Sequence, residues 1–362
     1  MPQKKIMTVL GPIAPEGLGT TSMHDHIMFD GSVLGKRLRS NMPPHNLPIH
    51  ADDKVSLENI GMLHRNTILA WDALNQDDEE MLTAEVADFK ALGGDAILEL
   101  SVPGLALDIT AEKRISKKTG VHIIVSTGFY VSDSWPKEYK GKSRKQLYEH
   151  MMHEVQNGVH GTDIKPGHIK IGLDSMSEDE ENALRAAVHV ARETGLSLTI
   201  HPSLKAGSDV VHHLTILKEE GMDLTRVVMA HTKMITLPTF AEAIKHPELY
   251  RVDIAGAKVL LDEGCNISVE FMNTMGLELL GEFDAGDWGK MSGFVQLVNQ
   301  GYAGQMVTGN DCCGKIMLKR SGGEGFCRML YYTKPMLLNA AGLSDYPIRQ
   351  IFEENPKRIL AY

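Results

Sequence analysis

The chain has 362 residues, and its 37 Lys and Arg against 47 Asp and Glu give a formal net charge of −10. Apolar residues at 43% and charged residues at 23% are typical of a globular protein and argue against a disordered or fibrous chain. The negative balance argues against a nucleic-acid binder and against docking to an anionic membrane. Because no apolar run approaches the roughly 18–20 residues that span a bilayer, and no secretory signal or paired cysteine spacing is present, we expect a cytoplasmic protein.

Short runs rich in Val, Ile and Thr alternate with helix-favouring segments along the whole chain. The runs predict eight strands, at 19–27, 95–101, 122–128, 168–174, 196–202, 226–232, 266–272 and 305–311. Between them lie amphipathic stretches such as 81–94, 178–195 and 207–221, each of which ends in Gly as helices often do. Eight strand–helix units in this length predict an α/β fold, a closed (β/α)8 TIM barrel, rather than an open doubly wound sheet.

The domain organisation is predicted to be simple. The chain has no low-complexity tract and no linker rich in Pro, Gly or Ser, so we expect a single barrel domain over 1–362 that starts with an N-terminal β-hairpin. The least regular stretch is a long loop at about 31–56, after the first predicted strand. A loop of that length in a compact domain is usually functional or mobile.

Five side chains suited to metal binding follow or end predicted strands, where active sites of this architecture form. They are His24, His26, His201, His231 and Asp311. A histidine pair two residues apart is a weak signal alone, but both imidazoles can reach one metal ion from a single strand end. Imidazole and carboxylate ligands suit zinc and related divalent cations. The set therefore predicts a metal site, and the alternative is a group of barrel-mouth polar residues that bind no metal.

Several motifs together resemble the phosphotriesterase-related branch of the amidohydrolase superfamily. They are HDH at 24–26, IKIG at 169–172 and GND at 309–311, with the segments LGPIAPEGLGTTSMHDHI, STGFY and FEENPKRIL. The resemblance extends from the N-terminal hairpin to the last helix. It implies a TIM barrel of the metal-dependent hydrolase type with a binuclear metal centre.

The resemblance also implies which side chains hold the two ions. The ligands are His24, His26 and Asp311 for a buried ion, His201 and His231 for an exposed ion, and Lys170, carboxylated by carbon dioxide, as the bridge. Zn²⁺ is the expected metal, with Mn²⁺ or Co²⁺ as alternatives. The residues support the bridge, because a lysine between Ile169 and Ile171 is disfavoured as an ammonium, and the neutral amine forms a carbamate. The alternative is an ion pair of Lys170 with Asp311 or Asp174.

The implied chemistry is hydrolysis. Two divalent cations lower the pKa of water, and Asp311 serves as both ligand and general base that relays the proton to the leaving group. We predict a catabolic esterase or lactonase for small-molecule carboxylic esters or lactones, phosphorylated sugar lactones included, with slower organophosphate hydrolysis. The alternatives are a phosphotriesterase, an amidohydrolase acting on amides, or a small-molecule-binding barrel without catalysis. The sequence leaves the oligomeric state open, and because related barrels are often dimers, a homodimer is one candidate assembly.

Substrate choice should come from the loops that follow the strands. Tyr130, after the third strand, is a candidate pocket wall and hydrogen-bond donor. Lys233, after the sixth strand, and Lys315, after the eighth, are candidates to bind a carboxylate or phosphate, and the alternative is ordinary surface charge. The roles of Glu270 and Asn273, at the end of the seventh strand, stay open.

Overall fold

The computed structural model describes residues 4–106, 108–203, 210–236, 245–249, 251–271, 276–280 and 286–362. Eight barrel strands lie at the eight predicted positions. In chain order they are β1 Thr21–Asp25, β2 Ala96–Glu99, β3 His122–Ile124 with Ser126–Phe129, β4 His168–Gly172, β5 Leu198–His201, β6 Val227–Met229, β7 Asn266–Glu270 and β8 Met306–Gly309. Strand β3 is interrupted at Val125, which divides it between two hydrogen-bonded sheets.

The strands form a closed parallel barrel. They hydrogen-bond in chain order from β1 to the first part of β3 and from its second part to β8. Strand β8 packs against β1, and the Asp311 N–H donates to the His24 carbonyl at 2.8 Å. Glycine permits this approach at position 309, because a Cβ on Gly309 would lie 2.5 Å from the His24 carbonyl oxygen. The predicted (β/α)8 barrel is confirmed.

Helices alternate with the strands. They are α1 Ser32–Arg39, α2 Ile60–Arg65, α3 Glu79–Ala91, α4 Ile109–Thr119, α5 Arg144–Asn157, α6 Glu178–Thr194, α7 Val210–Glu219, α8 Ala255–Asp262, α9 Gly286–Asn299, α10 Asp345–Arg349 and α11 Asn355–Leu360. The predicted stretches 81–94 and 178–195 correspond to α3 and α6. The third, 207–221, contains α7, and its first three residues lie outside the described residues. Within the described ranges, no helix combines the length and apolar character that a membrane span requires.

Helix α6 illustrates how local sequence fixes an element. The Ser177 hydroxyl accepts the Glu180 N–H at the start of the helix, and four acidic residues occupy the first turn, near the positive end of the helix dipole. Gly195 closes the helix with φ of 77°, a left-handed conformation that glycine adopts without steric cost. Short π-helical stretches lie near the C-terminus, at Met329–Thr333, Met336–Ala340 and Gln350–Glu354.

Two regions precede and interrupt the barrel. The N-terminal hairpin pairs Ile6–Thr8 with Gly11–Ile13 in antiparallel register, as expected. In the segment 31–56, residues 32–39 form helix α1, which the sequence did not predict, and 40–56 contains no helix or strand. Gly35, a residue unfavourable in helices, lets α1 pack closely, because a Cβ there would lie 2.5 Å from the Leu74 side chain. The single-domain boundary stays a prediction.

Candidate metal centre

The Asp311 carboxylate lies at the centre of a histidine cluster. Its Oδ1 is 3.3 Å from His26 Nε2 and 3.5 Å from His24 Nε2, and its Oδ2 is 3.8 Å from His231 Nε2. Candidate ligand atoms of His24, His231 and Asp311 all lie within 4.8 Å of one another. Each of the three imidazoles therefore directs Nε2 into one shared space beside a carboxylate, which is a donor set that divalent cations take.

His201 extends the cluster towards solvent. It is the last residue of β5, and its ring centroid lies 4.5 Å from that of His231, whose ring is in turn 4.8 Å from that of His24. The Tyr130 hydroxyl lies 3.1 Å from His201 Nε2. The structure thus brings all five predicted strand-end ligands, together with Tyr130, to one end of the barrel.

Lys170 is buried in β4 next to this cluster. Its Nζ lies 3.4 Å from His24 Nε2, and among the described residues it forms an ion pair with neither Asp311 nor Asp174, which pairs with Arg37 instead. Burial lowers the pKa of Lys170 to about 8, although the negative charges of Asp311, Glu270 and Glu99 oppose this shift. The neutral amine is therefore accessible near neutral pH, as reaction with carbon dioxide requires.

Glu270, at the end of β7, holds two of the histidines. Its Oε1 is 2.9 Å from His24 Nδ1, and its Oε2 is 3.0 Å from His231 Nδ1 and accepts the His231 N–H at 2.8 Å. Burial raises the pKa of Glu270, but His231 and His24 outweigh this effect and hold the pKa well below its ordinary value. An ionised Glu270 places the protons on both Nδ1 atoms and leaves both Nε2 lone pairs for a cation.

His26 is supported by Ser101 and by a second buried acidic residue, Glu99. His26 Nδ1 lies 2.8 Å from the Ser101 hydroxyl and 3.9 Å from Glu99 Oε1. Glu99 Oε2 accepts the Ser101 N–H at 3.0 Å. Burial raises the pKa of Glu99 to about 8, against the opposing hydrogen bonds from Ser101. The sequence analysis missed this pair, although a Glu that ends a buried strand was a signal in its favour.

Asp25, between His24 and His26, forms a clasp on the turn that carries Asp311, because its carboxyl group accepts hydrogen bonds from Asn310 and Cys312. Its Oδ1 accepts the Cys312 N–H at 2.9 Å, and its Oδ2 accepts from the Asn310 amide at 3.1 Å and from the Ser22 hydroxyl. Asp311 has φ of 51°, in the left-handed region that costs a non-glycine residue about 1–3 kcal/mol. Asp25 therefore fixes the residues on both sides of a strained ligand, a role that the sequence analysis also missed.

The charge states of the cluster suit a cation. Burial lowers the pKa of His24 to about 4, and the Lys170 charge adds to this shift. Burial also lowers the pKa of His26 and His201, so these imidazoles are neutral at pH 7. Burial opposes ionisation of Asp311, but the His24 charge and a His26 hydrogen bond hold its pKa far below its ordinary value. Neutral imidazoles and an ionised carboxylate are the forms that bind metal ions.

The three side chains predicted to bind substrate differ in their contacts with the rest of the protein. The Tyr130 hydroxyl contacts His201, as described above. Lys233 is exposed, and the desolvation of its ammonium by nearby protein atoms lowers its pKa. The Lys315 ammonium lies 3.0 Å from an Asp72 carboxylate oxygen, so its charge is balanced by an ion pair within the protein. Asn273 lies outside the described residues. The substrate-binding roles of Tyr130, Lys233 and Lys315 stay predictions.

A (β/α)8 barrel with histidines, an aspartate and a buried lysine at the carboxyl ends of its strands defines the class of metal-dependent hydrolase barrels. The sequence model of the Phosphotriesterase family matches residues 4–360, and the chain belongs to this family. The family depends on a binuclear metal centre, and a histidine–aspartate cluster is present where that centre is expected.

Relatives that are named for an activity or a ligand match almost the whole chain. The human N-acetyltaurine hydrolase is 29% identical over 368 residues, which cover 99% of this chain and 98% of that protein. A resiniferatoxin-binding protein from Rhodobacter sphaeroides superposes with a TM-score of 0.84 at 27% identity, covering 98% of this chain and 94% of that one. A lactonase from Listeria monocytogenes shares the fold, with a TM-score of 0.75, 22% identity and 98% of each chain covered. These findings support a hydrolase and leave the cleaved bond open.

Proposed function

We propose that this chain is a metal-dependent hydrolase of small acyl compounds, with N-acyl amines as the first substrate class and carboxylic esters or lactones as the second. The observation that carries the proposal is the Asp311 carboxylate, which lies within 4 Å of three imidazole Nε2 atoms beside the buried Lys170. The sequence analysis favoured esters and lactones. The relatives named N-acetyltaurine hydrolase align with this chain over 98% of their own length, and their name indicates an amide substrate. We therefore place an amide bond before an ester bond as the bond that is cleaved.

The donor set fits two divalent cations, for which we propose Zn²⁺. The residues that would hold them are His24, His26 and Asp311 for one, His201 and His231 for the other, and a carboxylated Lys170 for both. When bound, such cations lower the pKa of a water molecule and polarise the acyl carbonyl. The imidazole Nδ1 contacts of Glu270 and Ser101 support this arrangement, because they leave the Nε2 atoms free to coordinate.

The protein's own groups then move the proton. Asp311 accepts the proton of the attacking water and transfers it to the leaving group, which matters more for an amine than for an alkoxide because an amide anion is a poor leaving group. Tyr130 stays protonated at neutral pH, since burial and the Asp311 charge raise the pKa of its hydroxyl. It can therefore donate a hydrogen bond to the acyl oxygen or to the leaving group.

The test is kcat/KM across N-acetyltaurine, N-acetyl amino acids, simple esters, lactones and a phosphotriester, after reconstitution with zinc and bicarbonate. We expect N-acyl amines to be turned over fastest, and Asp311→Asn to lose about 10²–10⁴-fold in kcat. Asp163→Asn, at an exposed carboxylate paired with Lys113, is the matched control and should leave kcat unchanged. Dominant ester or lactone turnover would make the second substrate class the correct one.

A binding barrel is the second candidate, because a relative that is 27% identical is named a resiniferatoxin-binding protein. Such a protein would turn over none of the panel and would keep its ligand affinity in Asp311→Asn. We further propose a cytoplasmic location, since the four cysteines are free thiols, as in a reducing compartment. A homodimer stays a prediction.

A further inference from the structure

Helix α1 carries a cation to the mouth of the barrel. The helix packs against the turn Ser132–Ser134, which follows Tyr130 closely. Arg37 Nη1 donates to Asp174 Oδ2 at 3.3 Å, and the Ser203 hydroxyl donates to Asp174 Oδ1 at 3.4 Å. Because Asp174 and Ser203 each lie two residues beyond β4 and β5, Arg37 lies at the same end of the barrel as the histidine cluster.

The position of Asp174 is fixed by a buried carboxylate. Glu180 is 1% exposed, and its Oε1 accepts the Ser132 N–H at 3.0 Å. Its Oε2 accepts the N–H groups of Asp174 at 3.2 Å and Ser175 at 3.0 Å. Glu180 therefore ties the loops after β3 and β4 together, and the Asp174 side chain that orients Arg37 belongs to a fixed backbone.

Arg37 retains the capacity to bind a ligand. Its side chain is 35% exposed, and within the described parts of the chain the guanidinium has one hydrogen-bond partner, Asp174, through one nitrogen. The other edge of the guanidinium has the planar, two-donor geometry that matches a carboxylate or sulfonate. Helix α1 also packs on the turn that follows Tyr130, so Arg37 and Tyr130 belong to neighbouring segments at the mouth of the barrel.

The cationic side chains after β8 form ion pairs within the protein. Lys315 pairs with Asp72, Lys319 with Asp88, and Arg320 with Asp88 and the buried Glu85. These pairs join the β8 loop to α3 and to the segment before it, so their charges stabilise the protein. Compared with these three cations, Arg37 is the better placed to meet a substrate.

We propose that Arg37 binds an anionic group of the substrate, whose class is an N-acyl amine or ester that carries one carboxylate or sulfonate. The acyl carbonyl then lies at the histidine cluster, and the anion lies at the guanidinium. The neighbouring Asp174 carboxylate repels a second negative charge, so a monoanion is preferred over a phosphate dianion. This inference rests on the proposed function and names its specificity residue.

The test uses the zinc-reconstituted enzyme with two substrates that share an acyl group, N-acetyltaurine and the neutral N-acetylethanolamine. In Arg37→Gln, kcat/KM for N-acetyltaurine should fall about 10–100-fold, mainly through KM, because a charge-assisted contact is lost. Turnover of the neutral amide should change less than about threefold, and Arg37→Lys should restore part of the loss. Lys36→Gln removes the same charge from an exposed position of the same helix and should alter neither substrate.

A binding measurement separates this inference from the proposed function. The Kd of N-acetyltaurine is measured by calorimetry in zinc-loaded Asp311→Asn, with and without Arg37→Gln. Binding that depends on Arg37, with no turnover by the wild type, would refute the proposed function and support the anion site. The inference is overturned if Arg37→Gln weakens both substrates equally, if it leaves the Kd unchanged, or if the protein does not bind the monoanion.

Discussion

The two sides of the histidine cluster differ in the number of protein groups that hydrogen-bond to their ligand residues. On the β1–β8 side, His24, His26 and Asp311 are backed by Glu270, by Ser101 with Glu99, and by the Asp25 clasp. On the β5–β6 side, His231 depends on Glu270, and within the described residues the side chain of His201 has the Tyr130 hydroxyl as its hydrogen-bond partner. The difference indicates one rigid side that holds its ligands in place and one adaptable side at which substrate can bind.

Both sides contain a strained ligand residue. His231 has φ of 50° and Asp311 has φ of 51°. Each is held by hydrogen bonds to a buried carboxylate, since Glu270 accepts the N–H of His231 and Asp25 accepts from the residues on either side of Asp311. Strain of this kind persists only where the surroundings fix the backbone. Of the four predictions that follow, three remove one support each and one tests the bridging residue Lys170.

The largest effect is expected at Glu270, which serves both sides. Glu270→Gln keeps the shape but offers one acceptor oxygen to two Nδ1–H donors, so one histidine loses its orientation. We expect the affinity for divalent cations to fall by about 10–100-fold, measured by chelator competition. Glu149→Gln, at an exposed carboxylate near Lys145, is the control. An unchanged metal affinity would show that Glu270 does not orient the ligands.

Asp25→Asn tests the rigid side alone. The new amide would face the Asn310 amide, which cannot turn without losing its bonds to the Met329 N–H and the Phe326 carbonyl. We expect kcat to fall by about tenfold with KM little changed, and the free energy of unfolding to fall by about 1–3 kcal/mol. Ser22→Ala removes one hydrogen-bond partner of Asp25 and leaves its bonds to Asn310 and Cys312, so its effect on kcat should be smaller. Equal losses of kcat in both variants would show that these two bonds do not position Asp311.

The pH dependence of reconstitution tests Lys170. Because burial lowers its pKa to about 8, the reactive neutral amine becomes about tenfold scarcer for each pH unit below 8. The rate of activation by zinc and bicarbonate should therefore rise from pH 6 to 8 and level off above it. Lys170→Glu supplies a carboxylate directly and should be activated without bicarbonate. Activation of the wild type that does not depend on bicarbonate would rule out the carbamate.

The smallest effect is expected on the adaptable side. Tyr130→Phe removes the hydroxyl beside His201, and we expect kcat/KM to fall about three- to tenfold while the bound metal stays constant. Tyr148→Phe, whose exposed hydroxyl donates to Glu193, is the control. Loss of metal in Tyr130→Phe would show that this side also depends on a fixed support.

The sequence predicted the barrel better than it predicted the supports of its site. Strand periodicity located all eight strands, and strand-end position selected the cluster around Asp311. The supports depend on contacts between distant positions, such as His24 and Glu270, which are 246 residues apart. Parity shows that Glu270 shares a polar face with Asn266 and Ser268, but it does not show which side chain Glu270 meets.

Two other features could not be predicted for local reasons. The sequence did not predict helix α1 because Gly35 is a poor helix former. Gly35 allows the helix to pack closely on Leu74, and this contact is known only from the fold. The sequence around a lysine that follows a strand also does not indicate with which carboxylate the lysine forms an ion pair. Lys315 pairs with Asp72, whereas Arg37, in the segment predicted as a loop, pairs with Asp174 at the carboxyl end of the barrel.

A binuclear hydrolase is tested most directly by N-acetyltaurine turnover as a function of zinc equivalents added to the metal-free protein in bicarbonate. We expect turnover to rise until two zinc ions are bound per chain and then to stay constant. Saturation at one ion, or no turnover with two ions bound, would contradict the binuclear hydrolase assigned to this site.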